Sequence, residues 1–176
     1  MRGKNWRIII LSMLLLSIIL GNIAIAKGPF KPTGKSNKAH LNLYEKDPST
    51  WEIVENGAWG KMKYNLEGPT FDFMFNGHSL AIGEEFTLIY YPDPWPGTGL
   101  ICLGASTSDD EGNVHIKGSV DTGKLPAFGD ENYREGAKIW LVLSSDVDCE
   151  NATMIGWNPT EYLFEYDLIT FYDTDE

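Results

Sequence analysis

The sequence predicts an all-β protein, an antiparallel β-sandwich of immunoglobulin-like or jelly-roll type with about seven to nine strands. Three observations predict it. Runs rich in Val, Ile, Tyr, Phe and Trp recur along residues 40–172, and such side chains suit a pleated, half-buried surface. Clusters of Gly, Pro, Asn and Asp break these runs about every ten residues, the spacing of sandwich turns. No helical periodicity of useful length competes with them.

HLNLYEK (40–46) and WEIVEN (51–56) read as weak strands. KMKYNLE (61–67) alternates, with Met62, Tyr64 and Leu66 on one face and Lys61, Lys63, Asn65 and Glu67 on the other. That is a strand with one buried and one wet face. TFDFMFN (70–76) aligns Phe71, Phe73 and Phe75, and the intervening Gly68-Pro69 makes the two runs a hairpin. EFTLIYY (85–91) follows. LICLGAS (100–106) and NVHIKGSV (113–120) flank the turn DDEGN and are expected to pair as a second hairpin. AKIWLVLS (137–144) is almost continuously apolar, as in a strand buried on both faces. EYLFEYDLITFY (161–172) reads as a long strand, with a helical turn at 158–162 as the alternative, because Asn158-Pro159 imitates a cap and first helical position.

The ends are of different material. Arg2, Lys4 and Arg7 precede the apolar IIILSMLLLSIILG (8–21), and Ala24-Ile25-Ala26 offers a small-x-small cleavage pattern. Residues 1–26 therefore read as a signal peptide cut after Ala26. The alternative is an uncleaved anchor, since the segment is about long enough to span a bilayer. Both place residues 27–176 outside the cytoplasmic membrane, and a membrane is a partner only if the segment stays. Residues 27–39 read as a flexible linker, residues 40–172 as one domain, and DTDE (173–176) as an acidic tail. The protein is thus expected to be secreted or displayed at the cell surface.

The formal net charge is −11, and loss of residues 1–26 removes three basic and no acidic residues, leaving −14. Such a surface disfavours nucleic acid and anionic lipid, both of which require positive charge. The two cysteines, Cys102 and Cys149, are expected to form one disulfide in an exported chain.

Five patterns bear on chemistry. The histidines His40, His78 and His115 are scattered, without metal-ligand spacing. SSDVDCEN puts Asp146, Asp148 and Glu150 at alternate positions, on one side if the loop is extended, as calcium ligands must be. Asp109, Asp110, Glu111 and Asn113 make a second, weaker candidate, with residue types a tight turn uses anyway. Asn151-Ala152-Thr153 is a glycosylation sequon.

The fifth pattern is YYPDPWPGTG (90–99). Pro92, Pro94 and Pro96 hold their own φ and bias their predecessors toward extended backbone. A loop so constrained loses little entropy on binding. Tyr90, Tyr91 and Trp95 offer flat rings with polar tips, and Asp93 offers an acceptor for hydroxyls, a set suited to sugars or a protein partner. The competing structural role is a lid, with Trp95 folded over the end of the sandwich. Trp51, in the weak strand 51–56, is weighed the same way; Trp59 and Trp157 are further candidates in loops, and Trp140, in the apolar run, reads as core.

PDPWPGTGLICLG (92–104) and GAKIWLVLSSDVDC (136–149), with GNVHIKGSVDTGKLP and MIGWNPTEYLFEYDLI, resemble a group of exported archaeal and bacterial β-rich proteins without an assigned activity. The resemblance implies a secreted or surface-attached β-rich domain and assigns no residue a role. The expected function is non-catalytic binding, adhesion or structural support at the cell surface, with carbohydrate or a protein as partner. The alternatives are a calcium-stabilised envelope component and a secreted hydrolase acting with paired carboxylates. Apart from calcium, no cofactor is expected.

Overall fold

The computed structural model describes residues 36–175; the expected signal segment and linker residues 27–35 lie outside them. Twelve strands occur among the described residues: β1 (Lys38–Tyr44), β2 (Trp59–Asn65), β3 (Glu67–Gly68), β4 (Phe71–His78), β5 (Glu85–Tyr91), β6 (Ile101–Thr107), β7 (Val114–Val120), β8 (Lys138–Leu143), β9 (Val147–Asp148), β10 (Thr153–Met154), β11 (Phe164–Glu165) and β12 (Tyr172–Asp173). The count exceeds the expected seven to nine because five of them are two-residue pieces. Two antiparallel sheets form the sandwich. The first has the order β11-β1-β2-β4-β7 and the second β6-β5-β8. Among the described residues the one parallel pair is β3 with β12.

Alternation builds the core between the sheets. Met62 and Tyr64 of β2, and Phe71, Phe73 and Phe75 of β4, face Phe86, Leu88 and Tyr90 of β5 and Ile139 and Leu141 of β8 in one buried cluster. Each such ring or aliphatic chain contributes about 1.5–3 kcal/mol by leaving water. β5 and β8 are buried on both faces. Their other set of side chains, Ile89, Tyr91, Trp140 and Val142, packs under a second cluster with Leu100, Val147, Met154, Tyr162 and Phe164. Loops therefore form a third layer over the second sheet. The expected Cys102–Cys149 disulfide clips this layer to β6, with Cα atoms 5.9 Å apart.

Five expectations are corrected. LICLGAS and NVHIKGSV do not pair as a hairpin: β6 pairs with β5 and β7 with β4. The turn between them closes locally through Gly112 N–H to the Asp109 carbonyl at 3.0 Å. It nevertheless carries the chain from one sheet to the other, because Leu103 and Ile116 enter the same core from opposite sides. WEIVEN is not a strand. Only Lys46 and Ile53 bridge, and Trp51 and Asn56 have φ near +60°, which no extended strand tolerates. EYLFEYDLITFY is not one long strand, because it switches partners along its length. Leu163 bridges Leu141, β11 pairs with β1, Ile169 bridges Ala137, and Phe171 bridges Leu125. It laces the sheets together, after a short 3-10 turn at Pro159–Glu161. The carboxyl end does not begin as a loose tail: Asp173 is buried and pairs with Gly68. At the other end β1 begins at Lys38, two residues before the expected domain start.

Candidate functional site

The third layer is open at one place, above β5 and β8. Their register puts Tyr91 opposite Lys138 and Ile89 opposite Trp140, and the period-two alternation turns Lys138, Trp140 and Val142 to the outer face. Tyr91 lies flat on Trp140, with ring centroids 3.8 Å and planes 11° apart. Gly97 packs against the same tyrosine: at its φ of +72° a Cβ would fall 2.3 Å from Cε2, so the position requires glycine. Tyr91 is consequently buried, and burial, with the charge of Asp93 adding to it, pushes its phenol up to about 12.

Around this floor stand three half-exposed indoles. Trp95 is 51% exposed, Trp51 50% and Trp157 42%. Together with Tyr91, Trp140, Asp93 and Lys138 they line a groove of about 590 Å³. Trp95 meets Trp157 edge-on, centroids 5.4 Å apart and planes at 78°, and Trp157 meets Trp140 at 6.1 Å and 54°. Trp51 leans on Phe164 at 5.1 Å. Its φ of +61° is a conformation an aromatic residue seldom adopts. The preceding turn imposes it: Trp51 N–H donates to the Asp47 carbonyl at 2.7 Å, and the Asp47 carboxylate accepts from Ser49 N–H and Oγ.

Two buried aspartates fix the rims. Asp130 accepts from Tyr90 Oη at 2.6 Å, from Asn132 N–H at 2.8 Å and from Asp93 N–H at 3.2 Å. This joins the proline loop to segment 126–136. Asp93 in turn accepts from Lys138 Nζ and from Asn132 Nδ2. On the opposite rim Asp146 accepts from Tyr162 Oη and from Asn158 Nδ2, and its carbonyl accepts from the Ile155 and Gly156 N–H groups. A Cβ at Gly156 would sit 2.2 Å from Asp146 Oδ1, so the chain approaches as only glycine can. These bonds set the direction of the following residue, Trp157. Burial first, and the adjacent carboxylates second, push the phenols of Tyr90 and Tyr162 upward, so both stay hydrogen-bond donors. The proline loop is also tied to β10 through Met154 N–H to the Pro96 carbonyl at 2.9 Å, and to its preceding residue through Gly99 N–H to the Ala152 carbonyl at 2.8 Å. Trp95 lies between two cis bonds, Asp93–Pro94 and Trp95–Pro96.

Beside the floor, Glu165 is withdrawn from water. Its Oε2 and the Trp140 Nε1 are both enclosed without a hydrogen-bond partner. Burial pushes its carboxyl up to about 7, against the opposing pull of its own backbone N–H and of the Lys46 and Lys138 charges.

The proline-loop prediction divides. Trp95 is exposed in a concave patch, so it does not act as a lid, and Asp93 stands beside it. Tyr91 is present as floor. Tyr90 is not part of the surface: strand alternation turns it into the core, where it is fully buried and bonds Asp130. The calcium set is not brought together. The 3-10 turn Ser144–Asp146 breaks the extended alternation that would align the carboxylates. Asp146 points inward to Tyr162 and Asn158, whereas Asp148 caps its own turn by accepting from Asn151 and Glu150. Among the described residues no group of three or more His, Cys, Asp or Glu is placed to hold a metal. Asp109 is likewise a turn cap, accepting from the Asn113 and Glu111 N–H groups. Asn151 is exposed, with its amide donating to Asp148 at 2.7 Å.

Sequence reasoning did not find Lys138, Asn132 or Asp130, and placed Trp140 in the core without its second role as groove floor. One signal was available: Lys138 is the lone charge entering an apolar run, and it shares Trp140's side of the strand. Compared with family models, curated proteins and solved structures, the chain matches none.

Proposed function

We propose that this protein is an exported, non-catalytic binding module of the cell surface or extracellular space, and that its groove takes carbohydrate. One observation carries the reading. Three half-exposed tryptophans and a buried Tyr91–Trp140 stack converge on a rigid groove whose polar centre is the Asp93–Lys138 pair. Pyranose rings present apolar faces that stack on indole and hydroxyl edges that need paired donors and acceptors. The groove's volume lies within the range usual for small-ligand sites. Its rims are held by hydrogen bonds before any ligand arrives, which lowers the entropic cost of binding.

The lining supplies one carboxylate, Asp93, already engaged by Lys138 and Asn132, whereas hydrolysis by paired carboxylates needs a second across the cleft. That favours binding without bond cleavage. Export is supported by the signal-like residues 1–26 and by the disulfide, which persists in oxidising compartments. No helix of the described residues is long and apolar enough to cross a membrane. The test is affinity electrophoresis in gels containing soluble neutral polysaccharides. Wild type is retarded by at least one, and Trp95→Ala and Trp157→Ala migrate freely; retention of both variants equal to wild type removes the reading.

A further inference from the structure

We infer that the groove selects neutral glycan chains presenting a vicinal pair of hydroxyls, read jointly by Asp93 and Lys138; the inference rests on the carbohydrate reading above. Asp93 receives Lys138 Nζ and Asn132 Nδ2 on the same oxygen, Oδ2. Its Oδ1 accepts no hydrogen bond among the described residues and is not enclosed. Lys138 uses one of its three ammonium donors on Asp93. An open acceptor and open donors therefore stand side by side at the groove wall. Two adjacent hydroxyls match that pair: one donates to Oδ1 while its neighbour accepts from Nζ. A lone hydroxyl satisfies only half of it.

The pair is held in place. Asn132 and the Asp93 backbone both donate to buried Asp130, so neither charged group pays for ordering when a sugar arrives. Charge chooses the sugar class. The ion pair is locally neutral, and the chain carries −11 overall, which repels polyuronates. A quaternary ammonium, the other ligand that aromatic cages take, would meet the Lys138 ammonium in the lining. A neutral chain meets neither obstacle.

The experiment is isothermal titration of the protein with two soluble glucan oligosaccharides of equal length. One is linked through the fourth hydroxyl, so each internal unit keeps its second and third hydroxyls as a vicinal pair. The other is linked through the third hydroxyl and has no vicinal pair in its internal units. The first is expected to bind about tenfold to a hundredfold more tightly, the worth of hydrogen bonds to charged groups. Lys138→Met, which keeps the aliphatic stem, is expected to reduce that ratio to within about threefold while Trp95-dependent binding persists. Asp93→Ala is expected to do the same, with its thermal unfolding midpoint recorded to separate loss of recognition from loss of the loop. Equal affinities for the two glucans in wild type, with Trp95→Ala abolishing both, overturn diol selection and leave the carbohydrate reading standing. Binding of neither glucan overturns diol selection; the carbohydrate reading falls only if no neutral polysaccharide retards the protein in electrophoresis.

Discussion

Glu165→Gln separates a buried charge from everything around it. The Glu165 carboxyl rises from 4.5 to about 7 in the folded protein, chiefly because burial penalises its charged form. The folded state thus holds this proton more tightly than the unfolded chain. Between about pH 4.5 and about pH 7 the native protein binds more protons, so this group's contribution makes stability fall as pH rises, levelling above pH 7. At 1.36 kcal/mol per pKa unit, the cost at high pH is about 3 kcal/mol. Glutamine keeps the shape and mimics the protonated acid. The variant is expected to equal wild type near pH 4.5 and to exceed it by up to about 3 kcal/mol near pH 8. Asp47, Asp109 and Asp148, whose hydrogen-bonded carboxyls lie below their ordinary range, add the opposite trend at lower pH. They are common to both proteins and cancel in the difference. Urea unfolding across this range reads the quantity directly. A difference that does not change with pH, or a variant less stable than wild type near pH 8, refutes the assignment of a costly buried charge.

Three other outcomes follow from the same geometry. Replacing Cys102 and Cys149 together by serine removes a closure of sequence separation 47 and is expected to cost about 4 kcal/mol in urea unfolding. Asp146→Ala strands the Tyr162 hydroxyl and Asn158 amide; about 2–4 kcal/mol of stability is lost and Trp157 emission shifts to the red. Gly97→Ala forces a side chain into φ +72° and onto the Tyr91 ring, and is expected to lower stability by about 2 kcal/mol or more with loss of groove binding.

Period-two alternation made much of the fold legible. The faces of β2 and β4, the double burial of β8 and the cysteine pairing follow from residue types and spacing. What stayed illegible is long-range partner choice. Nothing in LICLGAS or NVHIKGSV says that β6 and β7 belong to different sheets, because β6 is taken by the strand before it, β5, and β7 by the earlier strand β4. The final aromatic run has β-forming composition throughout, yet it pairs in turn with β8, β1, Ala137, Leu125 and β3, and with none for long. At the site, YYPDPWPG announced a rigid aromatic loop, and Trp95 and Asp93 were readable from it. The inward turn of Asp146 was not, because the 3-10 turn Ser144–Asp146 breaks the extended alternation that would have put Asp146, Asp148 and Glu150 on one side. Trp51, Trp157 and Lys138 join Trp95 only through tertiary folding, across more than 100 residues of sequence.

Trp95 is proposed to belong to a recognition surface. Acrylamide quenching of tryptophan emission, comparing wild type with Trp95→Phe, tests it most directly. The component lost in Trp95→Phe is expected to be the readily quenched one, and a bound neutral polysaccharide is expected to protect it. A Trp95 component as inaccessible as that of buried Trp140, or one that remains fully quenchable in the presence of every bound polysaccharide, contradicts it.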